Sequence, residues 1–177
     1  GKSIDDAISS ITPYSKLTQR DKSLVSLIVL NSLRRNGQIE AVISNFVKKP
    51  IKDNKFIKYL LKVSITQLLY LNFPEYSTVH TAVEISKKYK SEKFVNAVLR
   101  NICRQKKDLL KKIPLTLNIP LWIKKSIKGF LGEKECLNIA TQISKEPFLD
   151  INIKRQFFKE KEWETVLKGK NIFENII

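Results

Sequence analysis

Groups that could do covalent or metal chemistry are sparse in this chain of 177 residues. It holds one histidine, His80, and two cysteines, Cys103 and Cys136. A nucleophile–imidazole constellation would have to be built around His80, which follows the Pro74 break near a helix start, a place that suits a structural or surface imidazole. Both cysteines fall on partly apolar helical faces, where a free thiol packs as a small hydrophobe. Only Arg104, next to Cys103, would favour a thiolate. Two cysteines are too few for a disulfide scaffold, and these lack zinc-site spacing. Gly37, Gly129, Gly132 and Gly169 never approach the spacing of a phosphate or dinucleotide loop. Asp5-Asp6 reads as the first turn of a capped helix, and the alternating charges of Glu160 to Glu164 as a solvated helix face. We find no catalytic site, and expect no metal and no cofactor to be held by this chain.

What remains is a binding surface. The chain carries 33 Lys+Arg against 17 Asp+Glu, a net charge of +16, and the excess is local. Residues 1–112 hold 22 basic and 9 acidic side chains, whereas 113–177 hold 11 and 8. A field of that size attracts polyanions. The densest stretch runs from Glu84 to Lys112 and includes Lys87, Lys88, Lys90, Lys93, Arg100, Arg104 and Lys106. Lysines neutralise phosphates and release counterions, while exposed aromatic rings stack on unpaired bases. Tyr89, Lys90, Lys93 and Phe94 combine both features. Phe94 is either a stacking platform or a core anchor, and periodicity favours the core because Val95, Val98 and Ile102 continue an apolar face from it.

The elements that must position these residues read as helices. A short one covers Ile4 to Ser10, capped by Ser3, with Pro13 beyond its end. A second begins near Thr18, where Asp21 approximates a capping box, presents Leu24, Leu27, Ile28 and Leu33, and closes at Asn36-Gly37. A third places Ile39, Val42, Ile43 and Phe46 on one side. The fourth carries Phe56, Ile57, Leu60, Leu61, Ile65, Leu68 and Leu69 and stops at Phe73-Pro74; so broad an apolar face predicts a helix central to a bundle. A fifth runs from Ser77 to about Tyr89, and a sixth from about Glu92 to Lys112. The first 112 residues therefore predict an all-α domain.

Beyond Lys112 the pattern changes. Ile113 to Asn118 reads as an extended connector. A helix starting near Pro120 presents Leu121, Trp122, Ile127, Phe130 and Leu131 and ends at Gly132, and another covers Glu133 to Lys145. Leu149, Ile151 and Ile153 then alternate with polar residues as a strand does, and a charged helix spans about Lys159 to Lys168. We expect residues 113–177 to be a partial α/β segment of two helices, one strand and one helix. The longest apolar run, Leu24 to Leu30, already contains Ser26, far short of the roughly 18 residues of a membrane span, and a cytoplasmic protein is expected. The chain opens on Gly1 and contains no methionine, so it is expected to be an excised segment, truncated at both ends.

Ala82-Val83-Glu84-Ile85-Ser86-Lys87-Lys88-Tyr89, followed by Lys93-Phe94-Val95-Asn96-Ala97-Val98-Leu99-Arg100, resembles the signature end of the NusB-like RNA-binding fold. Leu61-Lys62-Val63 with Gln67-Leu68-Leu69-Tyr70-Leu71 resembles its central helix. Lys49-Pro50-Ile51-Lys52, Arg20-Asp21 and Leu33-Arg34-Arg35 are similar to a narrower group, the Sun/Fmu-type bacterial methyltransferases of small-subunit ribosomal RNA cytosine C5. Asn118-Ile119-Pro120-Leu121-Trp122 and Pro147-Phe148-Leu149-Asp150-Ile151-Asn152 resemble the segment that joins their helical domain to the catalytic part.

The resemblance implies an all-α NusB-like bundle over residues 1–112, then a connector and an incomplete N-terminal extension of a methyltransferase domain over 113–177. It implies ribosomal RNA as the partner, a downstream catalytic domain in the same parent chain, and S-adenosylmethionine as that parent's cofactor. In the family the cofactor site and the two cysteine motifs lie further downstream, so neither Cys103 nor Cys136 inherits a role. Positions matching Lys62 and Phe94 lie on the RNA face of NusB. With the charge pattern, this makes Lys62, Lys90, Lys93, Phe94, Arg100 and Arg104 the candidate RNA-binding residues. Lys93 replaces a family glycine and adds charge. Some NusB-type domains dimerise, so a homodimer through the helical domain is a further expectation. The alternative function is a non-catalytic antitermination adaptor that binds RNA and protein.

Overall fold

Two of the helix starts, at Ser3 and Thr18, follow local capping chemistry. A computed structural model describes residues 3–48 and 55–147 of the chain. Helix α1 spans Ile4–Ser9, and the Ser3 hydroxyl accepts the Asp6 N–H at 3.1 Å. Pro13 does not stand beyond it as a terminator; it occupies the first turn of a one-turn helix, α2, Thr12–Ser15, where its missing N–H costs nothing. Helix α3 spans Gln19–Arg34. Its N-cap is formed: Thr18 Oγ1 accepts the Asp21 N–H at 3.2 Å and donates to Asp21 Oδ2 at 2.7 Å, so the Asp21 carboxylate engages the Thr18 hydroxyl.

Asn36-Gly37 does not close α3 but opens α4, Asn36–Phe46. The glycine serves a close approach rather than a helix end. A Cβ at position 37 would overlap the backbone carbonyl of Leu117. The segment expected to be extended, Ile113 to Asn118, contains instead a 3-10 turn, Leu115–Asn118, that lies against the start of α4.

Helix α5, Lys55–Ile65, continues as a π-helical turn over Thr66–Tyr70. It is central: Ile57, Leu61, Ile65 and Leu68 are fully buried among Ile39 and Val42 of α4 and residues from the next two helices. Helix α6, Glu75–Ser86, ends in a 3-10 turn, Lys87–Tyr89. Helix α7, Glu92–Arg104, buries Val95, Val98, Leu99 and Ile102. The predicted sixth helix is interrupted at Gln105, and α8, Lys106–Lys112, follows. Nothing on α3 is fully buried; Leu24, Leu27 and Leu33 remain exposed.

Helix α9, Leu121–Ile143, is broken at Gly132, whose φ of 84° is open to glycine at little cost. Its Cys136 and Ala140 pack with Ile119 in a second small core. All of these helices lie in one compact unit, residues 1–145, and a second unit comprises 146–177. The architecture is all-α, with no strand among the described residues. The expected strand at Leu149–Ile153 and the helix near Lys159–Lys168 lie outside them. No described helix is long and apolar enough to cross a membrane.

The connector is held by a buried polar network. Gln38 Nε2 donates to the Ile113 carbonyl at 3.0 Å, and Asn118 Nδ2 donates to Gln38 Oε1 at 3.0 Å. The Gln38 N–H donates to Asn118 Oδ1 at 3.0 Å. Arg35 donates to Gln38 Oε1 at 3.1 Å and to the Ser144 carbonyl at 2.8 Å, with its guanidinium 5.0 Å from the centre of the Tyr70 ring. Burial pushes the Tyr70 phenol up to about 12, against the opposing pull of Arg35.

Between α4 and α5, Glu40 Oε1 receives both Lys58 Nζ (2.9 Å) and Lys62 Nζ (2.7 Å). Partial burial pushes the Glu40 carboxyl up, but the two lysines together outweigh it and hold it below its ordinary 4.5.

Two stability measurements test this packing. Gly37→Ala forces the connector off α4 and should lower the unfolding free energy by about 1–3 kcal/mol. Gly129→Ala, which meets nothing within 4 Å and sits in a helix, should raise it by about 0.4–1 kcal/mol. Urea unfolding of both variants reads the opposite signs directly. Glu40 supplies a pH dependence. A carboxyl depressed on folding stabilises above its unfolded pKa, and that contribution disappears as pH falls through the folded value. Between neutral pH and about pH 3, wild type should therefore lose more stability than Glu40→Gln; equal losses would show that the pair contributes nothing.

Candidate nucleic-acid interface

The corner between α6 and α7 gathers positive charge because its geometry exposes nearly every side chain. The 3-10 turn ends at Lys90, which adopts the left-handed conformation at φ 52° and ψ 37°. That conformation is unusual for a residue with a Cβ. The Ser91 N–H donates to the Ser86 carbonyl at 3.2 Å and Ser91 Oγ to the Tyr89 carbonyl at 2.9 Å, closing the corner. Lys87 pairs with Glu84 at 2.6 Å. Lys88, Lys90 and Lys93 are exposed and have no acidic partner among the described residues.

On α7 the buried face leaves Lys93, Arg100 and Arg104 together on the opposite, solvent side, at spacings of seven and four residues. From Lys93 to Arg104 the row runs about 16 Å along the axis. Arg100 Nε donates to Asn96 Oδ1 at 2.9 Å, holding the guanidinium along the helix. Phe94 lies on the flank of this row, 38% exposed, while Val95 beside it is completely buried. The α7 core contact is thus complete without the Phe94 ring.

A second pair of rings was not read from the sequence. Phe56, expected on the apolar face of α5, is instead 42% exposed and stacked on Tyr89, with centroids 4.5 Å apart and planes at 23°. Tyr59, one turn on, is more exposed still. The available signal was angular: Phe56 stands about 100° from Ile57 on the helix wheel, at the edge of the buried arc rather than within it.

The candidate residues do not all meet. Lys90, Lys93 and Phe94 share the corner, and Arg100 and Arg104 extend it along α7. Lys62 stands apart at the α4–α5 seam, about 240° around α5 from Phe56. Its side chain is only 17% exposed, held by Glu40 and by Asn36 Oδ1 at 2.8 Å. The thiol and imidazole stay outside this surface. Burial pushes the Cys103 thiol up, and the Glu75 carboxylate adds to it, which disfavours a thiolate. Cys136 is fully buried, and His80 stacks on Tyr76 with centroids 6.0 Å apart. No group of three or more potential metal ligands occurs among the described residues.

The chain is similar to proteins named ribosomal RNA small subunit methyltransferase B. That of Cronobacter sakazakii is 25% identical over 171 residues, covering 92% of this chain and 40% of the relative. The relative from Proteus mirabilis is 30% identical over 113 residues, covering 60% and 26%. A Bacillus subtilis protein, named as a probable member, is 27% identical over 145 residues, covering 73% and 32%. The chain thus spans about two fifths, or less, of the length of these curated relatives. The NusB family model matches residues 1–104, which include α1 to α7 with the basic corner and both ring pairs. More than half of the sequence is matched, and the chain belongs to the NusB family.

Proposed function

We propose that this chain is the ribosomal-RNA-docking region of an S-adenosylmethionine-dependent methyltransferase acting on cytosine C5. Residues 1–112 supply the RNA surface, and 113–177 the connector and the beginning of the catalytic part's N-terminal extension. The observation that carries the reading is the partly exposed Phe94 ring at the same corner as Lys90 and Lys93, cations with no carboxylate partner among the described residues. Bases stack on such a ring while phosphates meet the ammonium groups, and neither contact requires a defined base sequence. Arg100 and Arg104 continue the track. Lys62 contributes at one remove: it and Lys58 share a single carboxylate, so the seam retains net positive charge.

The names of the relatives support ribosomal RNA as the ligand and a methyl group as what the parent transfers. In that parent, as the family resemblance implies, S-adenosylmethionine would supply the methyl group, and a cysteine thiolate beyond these residues would add to C6 and leave again once C5 has been methylated and has lost its proton. The present residues bind and orient the RNA and take no covalent part. Work on ribosomal RNA places the protein in the cytoplasm.

Fluorescence anisotropy with a labelled single-stranded ribosomal RNA fragment tests the reading across a salt series. Affinity should fall with salt at a log–log slope of about −0.7 per phosphate contacted. Phe94→Ala should weaken binding by about 1–3 kcal/mol, and Lys90→Glu with Lys93→Glu should flatten the slope. Salt-dependent binding untouched by these variants would reduce the corner to a solvated surface. No binding at low salt would favour a protein-binding adaptor.

A further inference from the structure

Helix α9 is anchored on one side and bare on the other. Inward, Cys136 and Ala140 are fully buried, and Arg35 holds the Ser144 carbonyl at its C-terminal end. Outward, Trp122 is 74% and Phe130 89% exposed. Trp122, Ser126 and Phe130 follow one another at i, i+4 and i+8, so they stand in one row about 12 Å long. Gly129 lies beside the row with nothing within 4 Å of where a Cβ would sit. Two exposed rings thus stand at either end of a row whose middle positions are small residues. The rings alone leave roughly 300 Å² of aromatic surface in water, as large as the biggest apolar patch of many monomers. Exposed Leu121 and Leu131 enlarge it.

The cations around this patch differ from those of the α6–α7 corner. Lys124 Nζ donates to Thr116 Oγ1 at 3.2 Å, and Lys128 pairs with Glu133. Both lysines stand about 120–160° around the helix from Trp122 and Phe130, so Lys125, three residues after Trp122, is the exposed cation beside the rings. With two large rings, aliphatic flanks and little charge among them, the face suits an apolar protein surface better than a stacked nucleic acid.

The comparisons bear on which protein surface. The NusB family match ends at residue 104, before α9. Similarity to the Cronobacter sakazakii methyltransferase covers 92% of the chain, which leaves too few residues unmatched to omit α9, yet only 40% of that relative. Helix α9 therefore belongs to what this chain shares with the methyltransferases beyond the NusB match. We propose that the Trp122–Phe130 face of α9 docks the catalytic part of the parent methyltransferase, holding it in fixed relation to the RNA-binding helices. This rests on the function proposed above.

Thiol labelling tests it. Ser126→Cys, in a Cys103→Ser background, is placed both in the 177-residue chain and in the full-length gene product, and native maleimide labelling rates are compared. Labelling should be fast in the chain and at least about tenfold slower (about 1.4 kcal/mol of protection) in the full-length product. Trp122→Glu with Phe130→Glu in the latter should restore fast labelling and depress methyl transfer, with RNA affinity retained. Equal rates in both proteins, with RNA binding and methyl transfer intact, would overturn the docking surface alone. Protection within the 177-residue chain, accompanied by a dimer mass in light scattering, would assign the face to a second copy and overturn the proposal. Protection there only on adding RNA would assign it to nucleic acid, with the same consequence. A full-length product that transfers no methyl group to RNA, although Ser126→Cys is protected, would overturn the functional reading and leave a docked partner of another kind.

Discussion

The side-chain amide of Gln38 is a demanding group to bury. It lies at 3% exposure, and its donor and acceptor are satisfied by Ile113 and Asn118, some 75 to 80 residues along the chain, and by Arg35 one turn before it. Leaving one buried polar group unpaired costs about 1–3 kcal/mol, so these partners must arrive together or not at all. Everything around the amide follows from that requirement. The connector has to turn tightly at Leu115–Asn118 to present Asn118, and its backbone then runs so close to α4 that only glycine fits at position 37. Arg35, drawn in to serve Gln38, also reaches the Ser144 carbonyl and so secures the far end of α9. Helices after residue 112 are thereby part of the same packed body as the helices before it, within the unit ending at Lys145.

Electrostatics divides the surface in a way that net charge alone does not. A chain at +16 repels itself, and the native state mitigates this where a carboxylate is within reach. Glu40 takes two lysines, Glu84 takes Lys87, and Glu133 takes Lys128. Lys88, Lys90, Lys93 and Arg104 have no such partner among the described residues. The corner is thus left with uncompensated charge that continues along the outer side of α7, next to rings that the core does not need. Exposed ion pairs contribute little to stability; their effect here is to determine which cations remain free to meet a phosphate.

Much of the helical order was legible because it depends on short-range chemistry. Ser3 and Thr18 cap as their spacing to Asp6 and Asp21 implies, and the 3.6-residue periodicity of α5 identifies the buried residues Ile57, Leu61, Ile65 and Leu68. The misread positions are those decided by contacts far along the chain. Asn36-Gly37 has the composition of a helix end, yet its glycine answers to a carbonyl eighty residues away at Leu117. Pro13 reads equally well as a terminator and as a first-turn residue. The break at Gln105 has no proline or glycine to announce it, since Gln105 caps α7 through its own N–H to the Asn101 and Ile102 carbonyls.

The aromatic residues show the same limit most clearly. Phe56 and Phe94 each sit one position before a completely or almost completely buried aliphatic residue, Ile57 and Val95. Periodicity assigns a ring to an arc of the helix but does not say how wide the covered arc is, and that width is set by neighbouring helices. On α5 and α7 the neighbours stop short of these rings; on α9 they stop short of Trp122 and Phe130. What distinguishes the two surfaces is the amount of charge beside the rings. Phe94 has exposed Lys90 and Lys93 near it and Arg100 and Arg104 further along α7, whereas Lys124 and Lys128 are tied to neighbours on the side of α9 away from Trp122 and Phe130, leaving Lys125 near them. A ring flanked by free cations has a polyanion as its natural complement, whereas rings with little charge beside them offer mainly apolar area. The distinction depends on where the cations stand on the helix and not on lysine content, since α9 carries four lysines and α7 one.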